Sequence, residues 1–363
     1  MNVFDLDRAL VGDYARFARS FTQIRAPDIL SQVEQIYATN RFWPEPLISI
    51  NPNFERGASV ADLATDGSLH PDTARVFRVD GQPIRFHRHQ AQAVAKATQR
   101  QSFAVTTGTG SGKSLCFFVP IIDAAIRARA AGETARTRAI VIYPMNALAN
   151  SQMKELEKFI EQSELLDKLR PTFARYTGQE SKEERDRIRE AKPDILLTNF
   201  MMLELLMTRQ STLDRAVIAN ADGLDFLVLD ELHTYRGRQG ADVAMLVRRV
   251  RDRLCRDHEP ICIGTSATMA SEGDDAARAV AVAKVASRLF GTTIRTDGVI
   301  DESLERATDS SLTPAKLGQR LAAAVDSEVP ETLDDAALRV HPLAVLRSAC
   351  KTGNGCRAVR QSQ

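Results

Sequence analysis

The chain has 363 residues, of which 44% are hydrophobic and 26% charged, enough apolar material for one large soluble domain with extensions or for two smaller ones. Its 48 Lys and Arg balance 47 Asp and Glu, so net charge argues neither for nor against nucleic acid, and any such contact must use local patches. The five cysteines (Cys116, Cys255, Cys262, Cys350 and Cys356) make no C-x-x-C pair, which argues against a zinc site and more strongly against a disulfide framework.

The first residues, MNVFDLDRALVGDY, carry acids where a signal peptide has a basic and then an apolar region. No apolar run is long enough to span a membrane. A cytoplasmic protein with reduced thiols and no membrane partner is expected. Residues 1–80 read as an N-terminal helical extension, with helix-compatible apolar spacing over 5–21 and 29–37 and a Pro- and Asn-rich loop over 41–53.

From about residue 86 the pattern changes. Short apolar runs at 102–106, 139–143, 194–198, 224–229 and 261–264 alternate with amphipathic stretches, as parallel strands joined by helices do. Runs such as AIVIY and LDFLVL are continuously apolar, the mark of strands covered on both faces. Helices are expected over 147–169, 181–190 and 241–254, the last with Val243, Leu246, Val247, Val250 and Leu254 on one face. The expected fold is α/β, a doubly wound parallel sheet over 81–292. Past residue 292 the strand signal fades, and 293–363 reads as helical and irregular.

Thr107-Gly108-Thr109-Gly110-Ser111-Gly112-Lys113-Ser114 follows a strand candidate and precedes the apolar helix LCFFVPIIDAAI. Glycines let such a backbone curl so that its N–H groups and a helix N-terminus face phosphates. Lys113 is placed to reach the β- and γ-phosphates of ATP, and the Ser114 hydroxyl to hold Mg²⁺. The strict pattern has Gly where this chain has Thr107.

Asp230-Glu231-Leu232-His233 ends the strand candidate LDFLVL. Ligands of open parallel sheets bind at the carboxyl ends of the strands, so Lys113 and the two acids are expected at one edge. Asp230 suits Mg²⁺ through water, and Glu231 suits orienting and deprotonating an attacking water. A lone Asp-Glu pair is as often a solvated turn. Joined to a phosphate loop upstream, it reads as the catalytic pair with Lys113.

These residues resemble superfamily 2 DExH helicases, and among them bacterial repair and phage-defence helicases that carry a Cys-rich C-terminal region. The resemblance covers about residues 86–270 and implies the first RecA-like, P-loop NTPase lobe. Phe86-His87-Arg88-His89-Gln90 is similar to the motif whose glutamine reads adenine, which makes Gln90 the adenine candidate; the family tolerates Thr at the position of Thr107. Tyr143-Pro144-Met145-Asn146-Ala147-Leu148-Ala149 with Gln152, then Thr177-Gly178 and Thr198-Asn199, match the positions that contact the nucleic-acid strand. Ser266-Ala267-Thr268 is similar to the motif that links hydrolysis to movement, so His233, Ser266 and Thr268 are the coupling candidates. Residues 234–240 also resemble that subgroup.

The residues themselves agree with the implied strand contacts. Each of those motifs lies between a strand and a helix, where hydroxyls and helix N-termini can hold phosphates; alone, each is a cap or a turn. Arg248, Arg249, Arg251 and Arg253 read as a solvated helix face in preference to a nucleic-acid patch.

Helicases of this type need two such lobes, and the residues after Thr268 are too few for a second. The expectation is therefore a chain stopping before that lobe, which is supplied in cis or in trans, and weak or absent turnover alone. The expected partner is nucleic acid, DNA in preference to RNA, with ATP and Mg²⁺ as cofactors. A translocase subunit of a restriction or defence complex, and a non-hydrolysing nucleotide-responsive binding module, are the alternatives.

Overall fold

The computed structural model describes residues 3–20, 24–38, 53–108, 110–267, 275–306, 308–309, 311–312, 318–326 and 334–345. The chain divides into two compact units, Met1–Pro52 and Asn53–Gln363. The first holds α1 (Val3–Ser20) and α2 (Pro27–Ala38), with the Arg19 guanidinium 4.7 Å from the centre of the Tyr37 ring. The lead-in of residues 1–80 spans this division, and most of its expected loop lies outside the described residues.

The second unit begins with β1 (Arg56–Ser59), α3 (Val60–Thr65), α4 (Thr73–Val76), a β2 (Arg78–Val79) and β3 (Gln82–Pro83) hairpin, β4 (Arg85–His87) and α5 (Arg88–Thr98). Strands and helices then alternate: β5 (Phe103–Thr106), α6 (Leu115–Ala130), β6 (Ala139–Tyr143), α7 (Asn146–Glu161), β7 (Phe173–Tyr176), α8 (Lys182–Ala191), β8 (Ile195–Asn199), α9 (Phe200–Thr208), α10 (Thr212–Ala219), β9 (Phe226–Leu229), α11 (Gly237–Leu254), β10 (Ile261–Ser266), α12 (Asp275–Phe290) and β11 (Val299–Asp301). Two helices follow, α13 (Gly318–Asp326) and α14 (Asp335–Val340).

Among the described residues the main sheet has seven parallel strands in the order β11-β5-β10-β9-β6-β8-β7. Successive side chains on a strand point to opposite faces. Val105, Val141, Leu197 and Val228 accordingly pack on one side with α5, α6 and α7, through Val94, Ile121 and Leu156. Ala104, Ile140, Leu196 and Leu227 face the other side, under Leu203 of α9, Ile218 of α10, Leu246 of α11 and Leu289 of α12. Fully burying one such Leu or Ile contributes roughly 1.5–3 kcal/mol. The doubly wound sheet is the expected one.

The five strands expected from apolar runs form the contiguous interior of the sheet, β5, β10, β9, β6 and β8. Its two edges were not expected. β7 is only partly buried and carries Arg175, and β11 is three residues long, so neither shows the continuous apolar run of a doubly covered strand. The fading strand signal past residue 292 thus conceals one more strand of the same sheet. The helix expected over 147–169 ends at Glu161, and the chain turns to bury Leu165 in the core before a single 3-10 turn at Asp167–Leu169.

At the amino ends of the strands Asp194 is 3% exposed and accepts from Arg129 Nε (2.9 Å), Arg129 Nη2 (2.6 Å), Thr172 N (2.9 Å) and Thr172 Oγ1 (3.0 Å). It joins the end of α6 to the starts of β7 and β8. Removing one partner of a buried, charged network leaves the others desolvated and unpaired. Asp194→Ala should lower the unfolding free energy by about 3 kcal/mol in urea titrations, and a loss below about 1 kcal/mol, the worth of an ordinary hydrogen bond, would contradict this role.

Candidate active site

β5 delivers Thr106 to the carboxyl edge of the sheet, and the chain curls there before α6. Gly110 (φ +78°) and Gly112 (φ +70°) occupy the left-handed region that glycine tolerates best. At Gly112 a side chain is excluded twice over, since a Cβ there would lie 2.5 Å from Gln90 Nε2. Lys113 Nζ donates to Thr107 O (2.9 Å) and Gly108 O (3.0 Å), which folds the lysine back over its own loop. Thr107 Oγ1 lies 2.5 Å from Ser111 Oγ, so the residue that departs from the strict pattern braces the loop internally. Thr109 lies outside the described residues.

The loop is held from behind by α5. Gln90 is 3% exposed; its Nε2 donates to Ser111 O (3.2 Å) and Gly112 O (3.0 Å), and its Oε1 accepts from His87 N (2.8 Å). The amide expected to read adenine thus connects the start of α5 to the phosphate loop. His89, absent from the expected site, is buried with Nε2 2.9 Å from Ser111 O. Burial pushes its pKa down, so the neutral ring prevails. On the other flank Glu302, just past β11, accepts from Gly108 N (2.8 Å). Neither contact is readable from spacing, because one depends on the face that α5 turns to the loop and the other on β11 lying beside β5.

β9 ends at Leu229, and Asp230 N still donates to Ile142 O of β6 (3.0 Å). β10 lies between β5 and β9 with Gly264 opposite Leu229 and Ser266 opposite Thr106. That register sets Thr265 beside Asp230: Thr265 Oγ1 donates to Asp230 Oδ1 and accepts from Glu231 N (3.3 Å). Thr265 was not among the expected residues, although it touches both acids. Burial, helped by the Glu231 charge, pushes the Asp230 carboxyl up to about 6 against the pull of the Thr265 hydroxyl and Lys113.

Glu231 adopts a left-handed backbone (φ +54°), uncommon for a side chain of its kind, at the head of the turn Leu232–Thr234. Its Oε2 is 3.2 Å from His233 Nδ1 without a hydrogen bond of good geometry, the ring being directed instead at Ser266 Oγ (3.1 Å). The structure therefore brings His233 and Ser266 together. Thr268 lies outside the described residues.

The expected strand-contact residues are more buried than their assignment implied. Tyr143 and Thr198 are 0% exposed and Thr177 is 6% exposed. Thr198 Oγ1 donates to Tyr176 O (2.6 Å), while Thr177 N, Thr177 Oγ1 and Gly178 N all donate to Glu180, at 2.8, 3.0 and 2.8 Å. Burial works to raise the Glu180 carboxyl, but these donors and Arg175 hold it below its ordinary value. Asn199 caps α9 through Met202 N (2.7 Å) and donates to Asn146 Oδ1 (2.6 Å) and Thr177 O (3.2 Å). The side chains of Thr177 and Thr198 are thus internal braces, and Tyr143 packs in the core. Pro144 stays partly exposed, whereas Gln152 has a buried Oε1 without a hydrogen-bond partner.

The arginines of α11 are neither a loose solvated face nor a free cationic patch. Arg248 and Arg251 donate to the last carbonyls of α12 and to Gly291 O, Arg253 donates to Met207 O near the end of α9, and Arg249 pairs with Glu204. Cations at helix C-termini meet unpaired carbonyls and the negative end of the dipole.

A glycine-lined loop with its lysine, facing two carboxylates across one edge of a parallel sheet, defines a P-loop nucleotide site. The chain matches the DEAD/DEAH box helicase family over residues 87–276 and belongs to that family. It is 35% identical to the ATP-dependent helicase YprA of Bacillus subtilis (strain 168) over 187 residues, 51% of this chain and 23% of that protein. It is 24% identical to the Druantia protein DruE of Escherichia coli (strain UMEA 4076-1) over 430 aligned positions, 88% of this chain and 23% of that protein. A crystal structure of the DUF1998 helicase MrfA bound to DNA shares the fold with a TM-score of 0.55 at 20% identity, over 87% of this chain and 41% of that one. The match thus spans about a quarter of the length of those two curated relatives.

Asp230 generates a pH prediction. Its folded pKa of about 6 lies above the value near 3.9 of an unfolded aspartate, so between those values the folded state holds more protons and stability falls as pH rises. In the metal-free chain Asp230→Asn should therefore raise the urea midpoint more at pH 7 than at pH 5. Equal gains at the two pH values would remove Asp230 as the source.

Proposed function

We propose that this chain is the ATP·Mg²⁺-binding motor lobe of a DNA helicase, acting in the cytoplasm with a second RecA-like lobe supplied in cis or in trans. One observation carries the reading: the Lys113 loop and the Asp230–Glu231 pair share one sheet edge, with β10 set between them through Thr265 and Ser266. The local chemistry fits a nucleotide. The loop has two left-handed glycines, Lys113 donates to its own loop's carbonyls, and among the described residues Glu231 Oε2 is buried without a hydrogen bond.

Lys113 would exchange Thr107 O and Gly108 O for the β- and γ-phosphate oxygens. Ser114 and, through water, Asp230 would hold Mg²⁺, which when bound neutralises charge between the phosphates. Glu231 would orient the attacking water and take its proton, its backbone fixed by Thr265. Hydrolysis would be felt at His233, whose ring meets Ser266 on the strand that borders the loop. Gln90 and His89 hold the loop's shape from behind.

The opposing lobe would supply arginines to the transferring phosphoryl group, a contribution of about 10³–10⁵ in rate in related systems. One lobe can hold a strand, but stepping along it needs two that close and reopen. A single strand would lie across the N-termini of α7 and α9. The α7 N-cap, Met145, is 59% exposed and makes no side-chain cap, which leaves first-turn N–H groups for phosphates. DNA is the preferred strand, and MrfA of similar fold is described as bound to DNA. No helix among the described residues is long and apolar enough to cross a membrane.

Lys113→Ala should abolish ATP binding, measured by calorimetry, while circular dichroism stays unchanged. Unchanged affinity in a folded variant would sink the assignment. With a second lobe present, Glu231→Gln should bind ATP yet hydrolyse it at least about 100-fold more slowly, the low end of general-base effects; parental rates would show that Glu231 is not the base.

A further inference from the structure

Helix α7 turns one face toward the phosphate loop, and Gln152 and Glu155, three residues apart, share that face. Glu155 Oε2 lies 3.5 Å from Ser114 Oγ, and Gln152 is close enough to pull the Glu155 carboxyl down against the upward push of burial. Tyr143, at the end of β6, is fully buried with a hydroxyl that has no hydrogen-bond partner among the described residues. The charges of Asp230 and Glu155 both act on that hydroxyl, which is therefore near each of them. Gln152 Oε1 is buried without a partner as well, and so is the hydroxyl of Tyr235, which feels Asp230 and Glu231.

Buried polar atoms without partners are rare, and each costs about 1–3 kcal/mol. Each of the three lies near one or more of the carboxylates Glu155, Asp230 and Glu231, and each would be satisfied by a guest that brings hydrogen-bond donors. A bare ion does not fit, since among the described residues no three His, Cys, Asp or Glu side chains lie close enough to ligate one. A hydrated divalent cation does fit, because its bound waters donate to carboxylate, amide and hydroxyl oxygens together.

We propose that Glu155, with Gln152 and Tyr143, forms the outer wall of the hydrated Mg²⁺ held at Ser114 and Asp230, and that Glu155 orients the Ser114 hydroxyl. The Ser114 proton points to Glu155 and leaves an oxygen lone pair for the metal. Gln152, matched by resemblance to a strand contact, serves the metal instead. Glu155 is a positioning residue that reaches the metal only through water and Ser114. The inference rests on the ATP·Mg²⁺ site proposed above.

The test uses the full chain and a fluorescent ATP analogue, with Mg²⁺ titrated from EDTA to millimolar concentrations. For the parent, Mg²⁺ should tighten nucleotide binding with a defined midpoint; a parent that binds no nucleotide at any Mg²⁺ concentration overturns the nucleotide site itself. Given that parental response, Glu155→Gln should raise the Mg²⁺ midpoint about tenfold, in the range found for outer-sphere partners of bound metals. Its affinity in EDTA should change less than twofold. Tyr143→Phe, which deletes only the unpartnered hydroxyl, should move the midpoint the same way by a smaller factor. An unchanged midpoint in both variants, or an equal loss in EDTA and in Mg²⁺, overturns the role of Glu155 at the metal and leaves the nucleotide site standing.

Discussion

The register of β10 between β5 and β9 is the constraint on which the site depends. Parallel strands of this sheet end at a common edge, and each backbone pairing in the ladder fixes its neighbours along the strand. With Gly264 opposite Leu229 and Ser266 opposite Thr106, Thr265 has no choice but to meet Asp230 and Glu231, and Ser266 to meet His233. A slip of one residue would turn Thr265 to the other face and leave Asp230 without its hydroxyl donor. Gly264 belongs to the same constraint: a Cβ there would come 2.5 Å from Leu232 Cδ1, in the turn that carries the acids.

The phosphate loop is shaped from outside as much as by its own glycines. Gln90 and His89 grip Ser111 and Gly112 from α5, and Glu302 takes Gly108 N from beyond β11. Phe54 packs its ring 5.1 Å from that of His87 and 5.6 Å from that of His89. Glu55 N in turn donates to Ser303 O (2.8 Å), so the segment leaving the sheet is tied to the segment that enters it. Movement of the chain beyond β11 therefore reaches the loop through both Glu302 and the Phe54–His89 contact.

Five of the seven strands were legible because two-sided burial writes a continuous apolar run into the sequence. The edge strands β7 and β11 carry no such run, being half-solvated or short. The meeting of the Lys113 loop with Asp230 and Glu231 at one sheet edge was legible because both follow apolar strands of one parallel sheet, whose carboxyl ends lie together. Thr265, His89, Glu155, Glu180 and Glu302 were not, because their roles come from strand order and helix facing, which local pattern does not encode. The inward direction of some side chains in the strand-contact motifs was not legible. Tyr143, Thr177 and Thr198 are buried, and the hydroxyls of Thr177 and Thr198 bond within the strand ends.

The most direct measurement is a crystal structure of this chain with a non-hydrolysable ATP analogue and Mg²⁺. The account predicts that Lys113 Nζ leaves Thr107 O and Gly108 O for the phosphates, with the metal beside Ser114 and Asp230 and density for its waters toward Glu231. A nucleotide bound elsewhere, or Lys113 still bonded to the two loop carbonyls with the phosphates in place, would contradict it.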